Sequence, residues 1–446
     1  MLEALIFSTL LYVAVVFATF QRRRVGLANP LLLYLAFHGV GFVLRGWMQY
    51  AWRDAYLSRL MGVSLSEDDM AGALYMADVG LLAFCLGYHF LVPHGLVARV
   101  RFRPCKYEPR LVLLVGCFFI ALGLVSLRHD PVFNPNAASM IKTTRGTIQA
   151  EGAVGYLTQA GGAIGGVLAL WAAVFGFKPW IVAAFVVYLV GRLLRGWGRW
   201  AFVLGVLSLV FVDMWRRRQR WPRRQWLIAG AVVAVLFGLL GAARSVLRDA
   251  VVSGGQVNLN QSLQKVPLQL SRDLAIVDYV AFLHSVIPDP AGYSYWTQNL
   301  RLFTYPIPRA IWPGKPSDTN RISLDEYGNF WWVGAVLSVV GASYMDFGWL
   351  GIIIEMALFG AVLATLHQIY LRHRDVTHVA VPYLLALSLL PQFCRDGSVN
   401  VFVFMYFHVF PSVLALWVGA RFRAVPQRLR DMCLDGAAVR TSGDVA

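Results

Sequence analysis

Charged residues are scarce in this sequence. Asp, Glu, Lys and Arg make up 14% of the chain, against 58% hydrophobic residues. Soluble domains carry roughly a quarter of their residues as charges. Together with a mean hydropathy of +0.58, this scarcity excludes an ordinary soluble globular protein. Acidic residues are the rarer sign, 24 against 40 Lys and Arg, which leaves a net charge of +16.

Metal and nucleotide motifs are missing as well. The five cysteines show neither metal-ligand spacing nor an obvious disulfide pairing. No CxxC or HExxH pattern occurs, and no GxxxxGK is followed by Ser or Thr, so nothing in the chain supports coupling to ATP. Basic and aromatic residues are not interleaved as on an RNA-binding surface. We therefore expect no metal site, no cofactor and no nucleic-acid partner.

Long apolar runs recur along nearly the whole chain instead. Runs of about 15 to 24 residues suit a hydrocarbon core roughly 30 Å thick. The sequence thus predicts an all-α polytopic membrane protein with about eleven transmembrane helices. The predicted spans are residues 3–20, 29–46, 71–93, 110–127, 154–176, 179–194, 200–215, 226–244, 347–370, 379–393 and 400–419. The first run precedes its basic cluster, whereas a leader sequence follows one, so we expect an uncleaved first span.

Basic clusters fall on alternate connections between these spans. They lie at residues 22–24, 99–110, 178, 216–224, 372–374 and 421–430. The positive-inside rule makes these connections cytoplasmic and the N-terminus external. Residues 1–420 then form a single transmembrane domain, and residues 421–446 a cytoplasmic tail that we predict to be disordered. The outer loop 245–346 is too long for a structureless connector and should contain short helices lying on the membrane.

Arginines on the predicted outer side are the main functional signal. Arg192, Arg195 and Arg199 recur on one helical face, with no carboxylate nearby in sequence. A guanidinium matches phosphate oxygens bidentately, so a lipid phosphate is one possible partner, and snorkelling to the headgroups is the alternative. Pairing with nearby acidic residues is the alternative for the arginines of the long loop, and pairing with Asp396 for Arg395. The candidate phosphate ligands are Arg192, Arg195, Arg199, Arg244, Arg248, Arg272, Arg309, Lys315 and Arg395.

A proline-rich run, Tyr305 to Pro316, contains two of these candidates. Its four prolines fix φ and hold Arg309 and Lys315 in a preset arrangement, while Trp312 suits either stacking on a sugar face or anchoring in the membrane interface. The run resembles the Pro-Arg-x-x-Trp-Pro-x-Lys-Pro segment of bacterial oligosaccharide repeat-unit polymerases, the Wzy-type O-antigen polymerases. The stretch 343–351, leading into a span, is similar to that family's passage from loop to helix. The resemblance covers most of the chain in architecture and residues 300–350 in motif.

The resemblance implies a GT-C-like membrane glycosyltransferase in a bacterial inner membrane. Its donor would be a growing glycan on undecaprenyl pyrophosphate, and its acceptor a repeat unit on the same lipid. Fixed arginines would stabilise the departing pyrophosphate without a metal. The family usually works with a chain-length regulator, and the sequence leaves open whether such a protein binds this chain. It also leaves open whether the product is O-antigen or exopolysaccharide.

The acceptor hydroxyl needs a base within hydrogen-bond distance, unless the transition state is dissociative and arginine binding alone suffices. The outer loop offers His284, Asp278, Glu326 and Asp346, which the sequence does not rank. His284 also suits a structural role, and Asp346 suits a helix cap. The acidic residues at 67–69 favour a helix start over a catalytic acid. Within the predicted spans, Glu355 is costly unless it is neutral, paired or facing a cavity.

Two other functions compete with the polymerase. An O-antigen ligase transfers the finished glycan onto a lipid A core, and a polysaccharide flippase or transporter forms no bond. The proline-rich motif favours the polymerase over the ligase. A transporter predicts functional charges inside the spans, whereas the unusual arginines lie outside them.

A gene deletion separates the two enzymes. Loss of a polymerase should leave single repeat units on the lipid core, whereas loss of a ligase leaves none. Gel separation of the lipopolysaccharide shows the difference directly. A deletion strain with full-length glycan chains would contradict both.

Overall fold

The computed structural model describes most of the helical framework of the chain. The described residues are 1–21, 26–52, 65–126, 141–144, 147–150, 160–194, 199–228, 230, 274–289, 292–304, 307, 311–312, 337–397 and 405–421. All structural statements below concern these residues. The predicted tail 422–446 lies outside them.

Helices dominate the described residues. They are α1 (Leu2–Gln21), α2 (Pro30–His38), a π-helix (Gly39–Leu44), α3 (Arg45–Trp52), α4 (Glu67–Phe90), α5 (His94–Arg99), α6 (Pro109–Val125), α7 (Gly162–Phe175), α8 (Pro179–Leu194), α9 (Arg199–Arg216), α10 (Ile276–Val286), α11 (Thr297–Thr304), α12 (Val339–Arg372), α13 (Thr377–Ser388), α14 (Leu390–Asp396) and α15 (Phe410–Arg421). A two-stranded antiparallel hairpin pairs β1 (Ile141–Thr144) with β2 (Thr147–Ala150).

This architecture confirms the prediction of an all-α polytopic membrane protein. Five helical segments are long and apolar enough to cross a membrane: 2–21, 30–51, 67–90, 339–372 and 377–396. Ten of the eleven predicted spans coincide with described helices, and the remaining one, 226–244, lies mostly outside the described residues. The agreement has a simple cause, because a chain in lipid must satisfy its backbone hydrogen bonds within each segment.

Helix α4 begins at a capping box. The Ser66 side chain accepts a hydrogen bond from the Asp69 backbone N–H, and Asp69 accepts one in return from the Ser66 N–H. The two contacts satisfy N–H groups that have no partner inside the helix. The predicted helix-starting role of residues 67–69 is therefore confirmed, and α4 extends from them through its apolar run to Phe90.

Helix α12 is broken near its start. Phe347 and Gly348 have non-helical dihedral angles, and Gly348 has φ +63°, which favours glycine. The sequence predicted a loop up to residue 346, yet residues 339–346 are already helical. After the break, residues 349–372 extend for about 36 Å at 1.5 Å per residue. That length crosses a hydrocarbon core of about 30 Å.

Among the described helices, α4 and α12 share the most extensive contact. The backbone of Gly87 lies against the carbonyl oxygen of Ala357, and Gly360 lies against that of Phe84. Small residues of this kind let membrane helices approach closely. Helices α4 and α12 build one apolar core together with α1, α2 and α10. A second core is built by α6, α7, α8, α9, α13 and α15.

Helix α10 departs from the sequence expectation. Residues of the outer loop were expected to lie on the membrane, but α10 packs inside the first core, against α4, α12 and the π-helix. Its side chains are buried nearly all round, including those of Tyr279 and Phe282. A helix buried on all faces needs partners for any polar group it carries, which makes Asp278 in its first turn significant.

The connections with basic clusters gather at one end of the helices. Their contacts are Leu27 N to Arg220 O at 2.9 Å, Arg218 to Asp375 at 3.0 Å, Arg372 to Val97 O at 3.0 Å and Glu108 N to Gly419 O at 3.0 Å. We call this the basic end, and the opposite end the far end. The grouping agrees with the alternation of charge along the sequence.

Gly360→Ala should destabilise the protein. The added methyl group would overlap the Phe84 carbonyl, and such overpacking costs about 1–3 kcal/mol. Gly191→Ala is the matched control, because a Cβ at this helical glycine meets nothing within 4 Å. Thermal unfolding in detergent should show a lower Tm for the first variant and an unchanged or higher Tm for the second. Equal Tm values would contradict the tight α4–α12 contact.

Candidate functional site

A histidine and a carboxylate meet at the far end. His284, in the last turn of α10, lies with Nδ1 3.1 Å from Asp69 Oδ1 in the first turn of α4. The other Asp69 oxygen accepts hydrogen bonds from the Ser66 hydroxyl at 2.6 Å and the Ser66 N–H at 3.2 Å. Both oxygens of the carboxylate are therefore fixed, and with them the orientation of the imidazole.

The His284 ring is held on its other sides as well. It stacks near Tyr344, with ring centroids 6.5 Å apart, and it lies against the backbone of Gly72. A Cβ at position 72 would come within 2.7 Å of Nε2, so glycine leaves room for the ring. The side chain keeps 31% of its surface exposed. It is thus oriented from within the protein and open to a ligand.

Asp278 lies deeper and is fully engaged. Arg45 Nε is 2.8 Å from Asp278 Oδ2, and Arg45 Nη2 is 3.0 Å from Oδ1. The Gln49 amide also donates to Oδ1. Both members of the ion pair are 0% exposed. This geometry favours a structural role for Asp278 over the predicted role of a base, because no face of its carboxylate is open to a substrate.

Asp346 precedes the break in α12 and is also enclosed. It accepts hydrogen bonds from the Ser294 hydroxyl, the Trp296 N–H at 3.2 Å and the Asn299 amide at 2.8 Å. Its carboxyl group also lies near that of Glu355. The side chain is 1% exposed, so these contacts favour a role in holding residues 294–299. The predicted cost of Glu355 is met by pairing, since it also accepts from Trp296 Nε1 at 2.7 Å.

The candidate arginines are only partly within the described residues. Arg192 lies in the last turn of α8 and Arg199 begins α9. Arg216, at the other end of α9, donates to the carbonyls of Ala172 and Ala173 at the end of α7, next to the start of α8. The end of α8 and the start of α9 therefore lie at the far end. Arg395 Nη1 is 2.7 Å from Asp396 Oδ1, which confirms the local pairing considered from the sequence. The predicted residues outside the described part are Arg195, Arg244, Arg248, Arg272, Arg309, Lys315 and Glu326.

Trp312 is described and exposed, as a sugar-stacking residue requires. Within the described part of the chain, no group of three His, Cys, Asp or Glu side chains is placed to share a metal ion. At the far end, the structure brings two pairs of these side chains together. One pair is His284 with Asp69, and the other is Asp346 with Glu355.

The sequence missed the partners that hold these residues. Arg45 was counted as part of a predicted span, although an arginine at membrane depth signals an acidic partner. Asp69 was interpreted as a helix start without a second contact. Ser294 and Asn299 carry no signal of their own in one sequence, because their contacts cross about fifty residues of chain.

These features define a multi-pass membrane protein with a polar site at one end of its helices. A family model described as O-antigen polysaccharide polymerase Wzy matches residues 176–423, more than half of the chain. The protein therefore belongs to the Wzy family of O-antigen polymerases, which act on lipid-linked oligosaccharide repeat units in a membrane. This confirms the resemblance found in the sequence. No curated protein and no solved structure matches the chain significantly.

Asp278→Leu should strongly destabilise the protein, because it leaves Arg45 charged and unpaired in the core. Losing one partner of a buried ion pair costs about 3–5 kcal/mol. The double variant Arg45→Met, Asp278→Leu removes both charges and should recover most of the stability and the polymer formed in cells. If Asp278 were instead the catalytic base, the double variant would fold and remain inactive. Tm in detergent and the glycan ladder on a gel separate the two outcomes.

Proposed function

We propose that this protein polymerises undecaprenyl-pyrophosphate-linked oligosaccharide repeat units on the periplasmic face of the bacterial inner membrane. The basic end would face the cytoplasm, as the positive-inside rule requires, and the far end would face the substrate. Membership of the Wzy family supports the reaction class. The single observation that carries the mechanism is the partly exposed His284 oriented by Asp69.

His284 is the base in this mechanism. Asp69 accepts the hydrogen bond from Nδ1–H, which leaves the lone pair on Nε2 to receive a proton. The acceptor hydroxyl gives its proton to Nε2 while its oxygen bonds to the anomeric carbon of the donor. The bond from that carbon to the pyrophosphate oxygen breaks, and the lipid pyrophosphate leaves with the electron pair. The proton then passes from the imidazolium to the pyrophosphate or to water.

The other candidate bases fit this role less well. Asp278 is closed off by Arg45 and Gln49, and Asp346 by its own hydrogen bonds. Among the described candidates, His284 alone combines exposure with a carboxylate partner. A positioned base of this kind contributes about 10²–10⁴-fold to a rate.

The arginines supply the second half of the mechanism. A departing pyrophosphate gains negative charge, and fixed guanidinium groups stabilise it in the transition state. Arg192 in the last turn of α8 and Arg199 at the start of α9 lie at the far end, the end that holds His284. Arg195, between them in sequence, is proposed to act with them. Arg309 and Lys315 come from the proline-rich motif, with Trp312 against a sugar. Arg244, Arg248, Arg272 and Arg395 complete the proposed set of phosphate ligands.

Chain elongation by purified protein tests the proposal. With lipid-linked repeat units as substrate, wild-type protein should produce a ladder of longer lipid-linked glycans. His284→Ala should slow elongation about 10²–10⁴-fold. Arg309→Ala and Arg195→Ala should slow it as well, because each removes a charge from the leaving-group site. Asp69→Asn should have a smaller effect than His284→Ala. The imidazole Nε2 that accepts the proton remains in this variant, and only the carboxylate that orients the ring is lost.

A control isolates the histidine contact. Asp68→Asn changes an exposed neighbour on the same turn of α4 and leaves the Asp69–His284 contact in place. This variant should elongate at nearly the wild-type rate. Wild-type rates for His284→Ala would refute the proposed base, and unchanged substrate length with wild-type protein would favour a transporter. Transfer onto a lipid A core without elongation would favour a ligase.

A further inference from the structure

The segment after α10 exposes an unusual amount of apolar surface. Among its described side chains, six large apolar or aromatic groups are at least one-third exposed: Tyr295, Trp296, Leu300, Phe303, Ile311 and Trp312. Phe303 in α11 is 79% exposed. Patches of this size on a water-facing surface mark a site of interaction with a protein or a membrane.

Polar contacts hold the same segment from its inner side. Asp346 accepts hydrogen bonds from Ser294, from the Trp296 N–H and from Asn299 of α11. The backbone N–H of Ser294 also donates to Met345 O at 2.8 Å. The segment therefore turns Ser294 and Asn299 toward the protein and Leu300 and Phe303 outward, the reverse of a helix on a water-facing surface.

The position of the break in α12 sets the depth of this segment. Residues 349–372 extend about 36 Å from the basic end, so the break lies near the opposite surface of the bilayer. Glu355 lies seven residues beyond Gly348, about 10 Å further along the helix toward the basic end. The Trp296 indole N–H donates to Glu355 at 2.7 Å. Because Trp296 directly precedes α11, the start of α11 lies level with the break or closer to the basic end.

The exposed surface is continuous with the outward face of α12. The ring of Tyr295 packs on Phe347 at a centroid distance of 6.1 Å. The first exposed side chains of α12 beyond Phe347 are Trp349, Leu350, Ile353 and Ile354, and this helix is a membrane-span candidate. A surface continuous with a lipid-facing helix, and rich in tryptophan and tyrosine, suits the interfacial layer of a bilayer.

We propose that residues 293–304 lie in the outer boundary of the bilayer with their apolar side chains in phospholipid, and that Asp346 and Glu355 are positioning residues that hold them there. Helix α11 leads directly into the proline-rich motif with Arg309 and Lys315. These two residues follow the end of α11 by five and eleven positions, so an anchored α11 limits how far they can lie from the membrane surface, a consequence that rests on the proposed function.

Photo-crosslinking in liposomes tests the lipid contact without requiring any activity. Benzoylphenylalanine replaces one residue at a time in the full chain, reconstituted in phosphatidylethanolamine and phosphatidylglycerol, and lipid adducts are counted by intact mass. Phe303 is compared with Phe118, a 63% exposed residue of α6, and with Asp375, a 68% exposed residue at the basic end. Phe303 should give a yield close to that of Phe118 and several-fold above that of Asp375. A yield no higher than that of Asp375 would overturn the proposal.

Asp346 is tested by two substitutions that differ in hydrogen bonding. Asp346→Asn keeps a side-chain oxygen for Ser294 and the Trp296 N–H, whereas Asp346→Ala keeps none. If Asp346 positions the segment, Asp346→Ala should lower both the Phe303 adduct yield and kcat, the latter about 10-fold or more, since small misplacements of binding groups are costly. Asp346→Asn should stay within about threefold for both readouts, because most of the anchor survives.

The opposite result would show that Asp346 is a catalytic base. In that case Asp346→Asn would be as inactive as Asp346→Ala, and the adduct yield at position 303 would stay unchanged in both variants. This result would refute the positioning role of Asp346. A high Phe303 adduct yield in a protein that fails to elongate lipid-linked glycan would leave the lipid contact intact and refute the proposed function alone.

Discussion

A charged side chain within a bilayer is stable only beside a partner, and Arg45 and Asp278 satisfy this constraint in a single contact. The guanidinium and the carboxylate are both fully buried and meet through two hydrogen bonds. Arg45 stands at the end of the second apolar run, while Asp278 stands at the start of α10. The ion pair therefore fixes part of the large loop among the first helices of the chain. His284 lies at the other end of α10, so its position depends on the same contact.

The family match and the site do not cover the same residues. The match runs from 176 to 423, yet Arg45 and Asp69 precede it and bind Asp278 and His284 within it. The amino-terminal helices thus provide the inner wall of the proposed site, whereas the matched part supplies the histidine, the arginines and the broken helix. A fragment limited to the matched residues would lack both partners of α10.

Hydropathy predicted the helical framework well, because each span must form the hydrogen bonds of its own backbone in lipid. Charge alternation predicted which connections share an end, and the contacts of Arg218 and Arg220 bear this out. The sequence also marked Glu355 as a residue that needs pairing. It could not supply the partner, since the contacts of Glu355 with Trp296 and of Arg45 with Asp278 join residues far apart in the chain. The sequence did not predict the burial of α10 either, because an apolar helix face suits a membrane surface as well as a protein core.

The π-helix at Gly39–Leu44 has a consequence for how Arg45 reaches its partner. A π-turn holds one residue more than an α-turn, so it rotates everything that follows relative to a regular helix. If the same six residues formed regular α-helix, the Arg45 side chain would lie about 100° further around the axis, given 3.6 residues per turn. The local winding of six residues in the second span therefore decides whether Arg45 can meet Asp278 and hold α10 in the core.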